Sequence, residues 1–363
     1  MFRKMSANAF YKQLEKKLQE KIFSGYYPSG SMLPSESELC GEYQASRNSI
    51  RKALKCLAEN NLIETSKGIG SSVLSEEERE SRPRKTDQLR IMLKEAEFID
   101  AFDRNIMAGV EEFAKANGCI VHSSSSEVPV ATLLDDYRKF RFDGLIWVRG
   151  STQSCALAAE LQTLKIPQIM IEREVPGVPL VCFDSRSAFS SAVRILKQLG
   201  HESVSFVDFN LDSFFAVQRK KSFVEACDFH HCRGNIVILE AIPNADLQPL
   251  YNTLNHTTAY LCNAIYYSNL LKAVAACGRK IPEDLSVIAV DLNDSMIDKT
   301  GCFIRVSLRK MGSLAAELVT RMGRRESVPF VNSIPGEVIL GNSIGRNNWT
   351  GDGNAGFRPA HSF

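Results

Sequence analysis

The sequence lacks the segments that would place a protein in or across a membrane. Its 363 residues contain no apolar run that approaches the ~18 residues of a helical bilayer span. The first residues, MFRKMSANAFYKQL, contain no apolar core of a signal peptide. We therefore expect a cytoplasmic protein with no membrane partner.

Paired cysteines and metal-ligand spacings are missing too. The ten cysteines are scattered singly, with no CxxC pair, which argues against a disulfide framework and against a zinc site. The cluster His230-His231-Cys232 falls at a predicted helix end, where we interpret it as a surface feature rather than a ligand set. We expect reduced thiols and no bound metal.

Catalytic motifs are also absent. The chain contains no P-loop, no GxSxG, no HExxH and no glycine-rich dinucleotide turn after the apolar run at residues 89–94. We therefore expect neither enzymatic activity nor a cofactor.

Charge is unevenly distributed along the chain. Residues 1–74 contain 11 Lys+Arg and 7 Asp+Glu, a balance of +4, so a net charge of +2 leaves −2 for the remainder. A small basic segment joined to a larger, slightly acidic one is typical of a DNA-binding domain attached to a second domain. The length allows two or three domains with their own cores.

The basic segment contains a helix-turn-helix pattern. Ser35, followed by glutamate in the first turn, favours a helix start, and that helix runs to about Tyr43. After a short turn, Ser46 caps a second helix over residues 47–60, whose apolar residues recur at helical spacing. The start of this second helix is rich in groups that can donate to phosphates and base edges, as in a recognition helix: Arg47, Asn48, Ser49, Arg51 and Lys52.

Two short β-prone pieces follow, at residues 62–65 and 71–74. Between them lies a basic, glycine-rich turn that contains Lys67 and Gly68. Such a hairpin can bring a cation and bare backbone close to a phosphate. Helix, turn, helix and wing in this order predict a winged helix, although a charged helix face taken alone is most often only solvated.

The pattern LPSE…L…Y..SR.S.RKAL..L...NLIE...G.G..V resembles the winged-helix domain of GntR-family transcriptional regulators over roughly the first 74 residues. The resemblance implies DNA contacts from the helix starts and the wing: Ser35, Ser46, Arg47, Asn48, Ser49, Arg51, Lys67 and Gly68. One departure is Ser37, because the family usually has a basic residue there. A phosphate or guanine contact is therefore expected to be missing.

From residue 89 onward, short apolar runs alternate with helical segments. We predict strands at 89–94, 119–123, 144–148, 168–172, 180–183, 204–209, 235–239, 259–262 and 285–291. Such alternation predicts an α/β fold with a doubly wound parallel sheet, in which ligands bind beyond the carboxyl ends of the strands. Polar and aromatic residues lie at or beyond these ends: Glu95, Phe98, Glu172, Phe183, Arg219, Asn263 and Asp291.

Carboxylates, an amide and an arginine can hold neighbouring hydroxyls while an aromatic ring stacks on an apolar sugar face. The alternative for each residue singly is a helix cap or a solvated arginine. Residues 89–345 resemble the effector domain of the lactose-repressor (LacI) family, a two-lobed periplasmic-binding-protein-like fold. The resemblance rests on VCFDSRSAFSSAVRILKQLGHESVSFV, GRKIPEDLSVIAVD and LRKMGSLAAEL. It implies that Arg219, Asn263 and Asp291 grip an inducer, with Glu172 and Phe183 in the same pocket.

This second resemblance has departures. Asn263 is followed by Ala264 rather than aspartate, Ser222 replaces a usual glycine, and the family's own helix-turn-helix and hinge helix are missing. The predicted organisation is a winged helix at 1–74, a linker at 75–88, an effector-binding and dimerisation domain at 89–345, and a disordered tail at 346–363.

The function expected from both resemblances is a ligand-responsive transcriptional regulator. We expect a homodimeric repressor of sugar-catabolism genes that binds a double-stranded DNA operator and is relieved by a monosaccharide or a derivative. Two alternatives stay open: a winged helix fused to a catalytic domain, and a winged helix fused to a ligand-free dimerisation domain.

Overall fold

The protein consists of an N-terminal winged helix followed by two α/β lobes. The computed structural model describes residues 7–82, 88–93, 101–125, 128–139, 141–148, 150–209, 214–240, 245–291 and 300–347. No helix in these residues is long and apolar enough to cross a bilayer. Of the predicted tail at 346–363, residues 346 and 347 are described, and the Asn347 amide donates to the Leu199 carbonyl over 2.8 Å; the rest lies outside the described residues.

The winged helix contains three helices and a hairpin: α1 (Ala7–Phe23), α2 (Glu36–Tyr43), α3 (Arg47–Glu59), β1 (Ile63–Ser66) and β2 (Gly70–Val73). Helix α1 packs across α3, and its apolar residues Leu14, Leu18 and Ile22 are buried together with Ile50 and Leu57 of α3. Sequence spacing predicts this packing, because each set recurs at helical intervals. The predicted helix-turn-helix and wing are confirmed.

The wing is an antiparallel hairpin paired from Ile63↔Val73 to Ser66↔Gly70. The segment before α2 pairs with its outer edge, since the Leu33 amide donates to the Ser71 carbonyl over 2.7 Å. The outer edge of β2 is therefore paired, and residues 67–69 form the tip of the hairpin.

A short helix, α4 (Glu76–Ser81), lies inside the segment predicted as a linker. Ser75 caps it, and the Glu78 side chain accepts a hydrogen bond from the Ser75 amide over 2.7 Å. Such a capping box, with acidic residues in the first turn, stabilises even a short helix. Glu76 of α4 also forms a 2.9 Å ion pair with Arg138 of the first lobe.

The first lobe is a six-stranded parallel sheet in the order β13-β7-β6-β5-β3-β4. Helices cover both of its faces. Its elements are β3 (Gln88–Leu93), α5 (Ala101–Asn117), β4 (Ile120–Ser125), α6 (Val130–Arg138), β5 (Gly144–Val148), α7 (Thr152–Thr163), β6 (Gln168–Ile171), β7 (Leu180–Asp184), α12 (Leu308–Gly323) and β13 (Val331–Pro335).

The second lobe has a sheet in the order β14-β12-β11-β10-β8-β9, parallel except for β14. Its elements are α8 (Ser185–Gln198), β8 (Ser203–Phe209), α9 (Phe214–Phe229), β9 (Arg233–Leu239), α10 (Gln248–Leu254), β10 (Ala259–Asn263), α11 (Tyr267–Ala276), β11 (Ser286–Asp291), β12 (Cys302–Arg305) and β14 (Glu337–Ile339). The predicted two-lobed, doubly wound α/β fold is confirmed.

The chain crosses between the lobes three times: from β7 into α8, from β12 into α12, and from β13 into β14. Gly336 occupies the third crossing, where a Cβ atom would approach Phe183 Cε2 to 2.7 Å. One apolar cluster extends through both lobes, from Val110 of α5 to Phe223 of α9. The lobes are therefore joined by short connections with a shared core beside them.

Candidate functional site

The start of α3 presents its polar residues to solvent. Arg47 and Arg51 have side chains 65% and 60% exposed, and they lie four residues apart on one helix face. Asn48 is also exposed. This face carries the predicted cations in the place from which a recognition helix contacts DNA.

The three serines predicted to contact DNA form hydrogen bonds within the winged helix. Ser46 is the N-cap of α3, accepting from the Ser49 amide over 3.2 Å, and the two hydroxyl oxygens lie 2.9 Å apart. Ser35 is the N-cap of α2 in a capping box with Glu38. Its amide donates to Glu38 over 2.7 Å, and these hydrogen bonds lower the pKa of the Glu38 carboxyl. The serines thus fix the two helix starts.

Lys67 and Gly68 lie at the exposed tip of the wing. Gly68 has φ +81°, a left-handed conformation that favours glycine, and a Cβ atom there would meet no atom within 4 Å. The conformation, not crowding, therefore explains the glycine.

Three of the predicted effector residues line one cavity of about 320 Å³ between the lobes. Glu172 and Phe183 come from the ends of β6 and β7 in the first lobe, and Arg219 comes from α9 in the second. All three are buried, with exposed fractions of 5%, 8% and 3%. Glu172 and Arg219 are 47 positions apart in sequence and belong to opposite lobes, and the structure brings them to one cavity.

Arg219 and Asn263 are joined by a residue that sequence reasoning missed, Asp208 of β8. Arg219 Nη2 donates to Asp208 Oδ1 over 3.1 Å, and Asn263 Nδ2 donates to the same oxygen over 2.9 Å. Register explains the proximity, because β8 and β10 are neighbours with Val207 opposite Cys262. Asp208 is fully buried. A lone carboxylate in the apolar strand SVSFVDF was the available signal, since a buried charge needs a partner.

Electrostatics at this site are dominated by burial. Desolvation lowers the pKa of Arg219, while Asp208 and Glu172 oppose the shift. The Arg219 guanidinium carbon also lies 5.4 Å from the centre of the Phe209 ring. The arginine is held as a cation by a neighbouring carboxylate and an aromatic face.

Glu172 is the most perturbed carboxyl of the cavity. Burial raises its pKa to about 7, against the opposing effects of a hydrogen bond from the Phe183 amide and the charge of Arg219. That hydrogen bond is 2.6 Å long. Glu172 also has φ 58°, a left-handed conformation that is uncommon for a residue other than glycine. Strained backbone and a perturbed carboxyl at one cavity are features of binding sites.

Three predicted effector residues are not tested by this geometry. Glu95 and Phe98 lie outside the described residues. The Asp291 backbone ends β11 opposite Arg305, but its side chain lies outside the described part. Within the described residues, no group of three or more His, Cys, Asp and Glu is placed to hold a metal ion.

Two protein families match the chain in separate regions. Residues 10–73 match bacterial regulatory proteins of the gntR family, and residues 193–344 match a periplasmic binding protein-like domain. These matches cover the winged helix and most of the second lobe with α12, and they agree with both resemblances seen in the sequence.

Curated relatives are transcriptional regulators by name, and one that matches over nearly the whole chain is a repressor of arabinose metabolism. The chain is 23% identical over 362 residues to the arabinose metabolism transcriptional repressor of Geobacillus stearothermophilus, covering 92% of this chain and 97% of that protein. It is 40% identical over 73 residues to the HTH-type transcriptional regulator TreR of Bacillus subtilis, covering 20% of this chain and 30% of that one. The first likeness extends over both domains, and the second only over the winged helix.

Solved structures share the fold of the two lobes. A LacI family transcriptional regulator from Bifidobacterium animalis subsp. lactis superposes with a TM-score of 0.60 at 18% identity, over 72% of this chain and 98% of that chain. A LacI family regulator from Enterococcus faecium with bound ribose gives 0.55 at 19% identity, over 71% and 99%. At these identities the likeness shows the fold.

Proposed function

We propose that this chain, which matches the gntR family over residues 10–73 and a periplasmic binding protein-like domain over residues 193–344, is a sugar-responsive transcriptional repressor. The observation that carries the proposal is a buried polar set between two lobes: Glu172 and Arg219 line the cavity, and Asp208 behind it accepts hydrogen bonds from Arg219 and Asn263. Directional donors and acceptors in a largely buried cavity suit a small polyhydroxylated molecule. The names of the relatives point to sugars.

On the DNA side, α3 enters the major groove and the wing lies beside it. Arg47 and Arg51 supply cations for base edges and phosphates, and Lys67 at the wing tip supplies a phosphate contact. Asn48, Ser49 and the helix-capping Ser35 and Ser46 complete the proposed contacts. The protein acts as a cytoplasmic homodimer, so that two such domains meet the half-sites of a palindrome.

On the effector side, a sugar bridges the lobes. Glu172 and Phe183 contact it from the first lobe, and Arg219 and Asn263 contact it from the second, with Glu95, Phe98 and Asp291 as further proposed partners. A closed clamp changes the spacing of the two winged helices and thereby lowers operator affinity. By linkage, operator binding must weaken sugar binding by the same factor. We also propose that the winged helix ends at residue 74, the linker at residue 88 and the effector domain at residue 345.

A two-stage experiment tests this function. A DNA duplex is first selected from a random pool by the protein, and thermal unfolding is then followed with a panel of neutral sugars headed by arabinose. A sugar at 100 times its dissociation constant stabilises the native state by about 2.7 kcal/mol. A hit must then weaken binding to the selected duplex.

The possible failures separate the parts of the proposal. If no duplex is enriched, the protein is not the proposed DNA reader. If a duplex is enriched but no sugar shifts unfolding, the large domain is a dimerisation body or takes another ligand class. Turnover of any panel sugar would favour the catalytic alternative.

A further inference from the structure

One carboxylate contacts both exposed arginines of the recognition helix. Glu36 lies at the first position of α2, and its side-chain oxygen Oε2 is 3.0 Å from Arg51 Nε and 3.7 Å from Arg47 Nε. The tight turn between α2 and α3 creates this contact, because the start of α2 packs beside the first turns of α3. Glu36 is half-buried, while both arginines project into solvent.

The contact with Glu36 fixes the plane of the Arg51 guanidinium. Arg51 Nε donates to both oxygens of Glu36 at 3.0 Å, so the carboxylate occupies one side of the guanidinium. Within the described residues, the Nη1 and Nη2 groups of Arg51 have no protein partner. These two groups are the donors that a guanine O6/N7 pair can accept in end-on two-point recognition.

Glu36 also changes the charge of the surface. An anion beside Arg47 and Arg51 reduces the local positive potential that attracts any DNA, whatever its sequence. Ser37, the next residue of α2, adds no cation to offset it. One acidic residue can therefore both orient a base-reading donor and restrain sequence-independent binding.

We propose that Glu36 is a positioning residue for DNA specificity, acting through Arg51 rather than by touching DNA itself. This inference rests on the proposed DNA-binding function. It assigns to Glu36 a contribution to the ratio of operator affinity to random-DNA affinity. A plain structural role, as an acidic residue at a helix start, would stabilise α2 without changing that ratio.

Glu38 provides a matched control. It lies two residues further along α2, carries the same charge, and within the described residues contacts Ser35 rather than an arginine. Glutamine at this position retains the capping box, so E38Q removes one charge while it keeps the helix start. E36Q removes the same charge together with the arginine contact.

The experiment measures the affinity of full-length protein for two duplexes over a salt series. One duplex is selected from a random pool by the wild-type protein, and the other has the same bases in shuffled order. We expect E36Q to raise affinity for the shuffled duplex and to reduce the affinity ratio roughly ten-fold. E38Q should leave the ratio unchanged, and E36D, which keeps the charge, should retain most of it.

A double-variant comparison makes the test independent of folding differences. In an Arg51→Lys background, the side chain can no longer form a two-point fork, so E36Q should change the ratio little. Equal ratios for E36Q and E38Q, or an equal effect of E36Q in both backgrounds, would overturn the inference alone. A wild-type protein that enriches no duplex would overturn the proposed function and this inference with it.

Discussion

The two functional regions use arginine in opposite ways. Arg51 of the winged helix is 60% exposed and paired with a half-buried glutamate, whereas Arg219 of the cleft is 3% exposed and paired with a fully buried aspartate. An exposed pair is screened by water and salt and stabilises the fold by about 0–1 kcal/mol. The exposed arginine therefore depends little on its pairing for stability, and its Nη1 and Nη2 groups can donate to DNA while Glu36 accepts from Nε.

The buried pair contributes much more to stability. Taking either charge away leaves the other in a site with little solvent, which is strongly unfavourable. Arg219 also connects elements through Asp208 to Asn263, so that α9, β8 and β10 share one network. The comparison teaches that the DNA surface should tolerate substitution with loss of binding only, while the cleft should lose stability as well.

The largest effect is expected at the buried pair. Arg219→Ala should lower the free energy of unfolding by about 3–5 kcal/mol, because Asp208 is left as an uncompensated buried charge. Arg51→Ala should lower it by no more than about 1 kcal/mol. Urea denaturation of the two variants gives both values. Similar losses for both would show that the contrast between the regions is not real.

A pH-dependent effect of comparable size is expected at Glu172. Its pKa of about 7 exceeds the ordinary value of 4.5, so between those pH values the native state binds more protons than the unfolded state. Stability should therefore fall as pH rises through this window, by at most roughly 3 kcal/mol. Glu172→Gln keeps an oxygen for the Phe183 amide and should lose this component.

Urea denaturation at about pH 5 and about pH 8 measures the Glu172 effect. The wild type should lose more stability than Glu172→Gln between the two conditions. Identical pH profiles for the two proteins would mean that Glu172 titrates normally in the folded state.

A smaller free-energy change is expected for DNA binding. Arg51→Ala should weaken binding to the selected duplex by roughly ten- to a hundred-fold and reduce discrimination against shuffled sequence, because a two-point base contact is lost. Arg321→Ala is a suitable control, since Arg321 is a partly exposed, ion-paired arginine of α12 in the first lobe. Band-shift titrations should show no change for the control. An equal loss in both variants would indicate a general charge effect.

The winged helix could be predicted in detail because its determinants are local. Ser35 and Ser46 cap the helices that the sequence assigns to them, and the spacing of Ile50 and Leu57 identifies the buried face. The wing differs by one residue, since Gly70 pairs with Ser66 rather than lying in the turn. A Cβ atom at Gly70 would approach Met32 Cε to 2.8 Å, a contact with the segment before α2 that local spacing does not reveal.

The two lobes were predictable as a fold but not in their connections. The sequence does not reveal β12, β13 and β14, because they are short and each adjoins a crossing between the lobes. The role of Asp208 is hidden for a different reason. The strand at 204–209 is evident in the sequence, but its neighbour β10 begins 50 residues further along the chain. The resemblance suggested Arg219 and Asn263; only tertiary contacts identify the carboxylate between them.

The smallest expected effect concerns the wing. Lys67 lies at the exposed tip of the hairpin, in a different element from Arg47 and Arg51 of α3. Its ammonium group suits a phosphate contact. Lys67→Ala should weaken binding to selected and shuffled duplexes alike, by only a few-fold at moderate salt. The slope of log affinity against log salt should become shallower by about 1. Arg51→Ala, in contrast, should change the ratio of the two affinities. A Lys67→Ala variant that changes this ratio would mean that the wing reads sequence or groove shape. Specificity would then come from the hairpin as well as from α3.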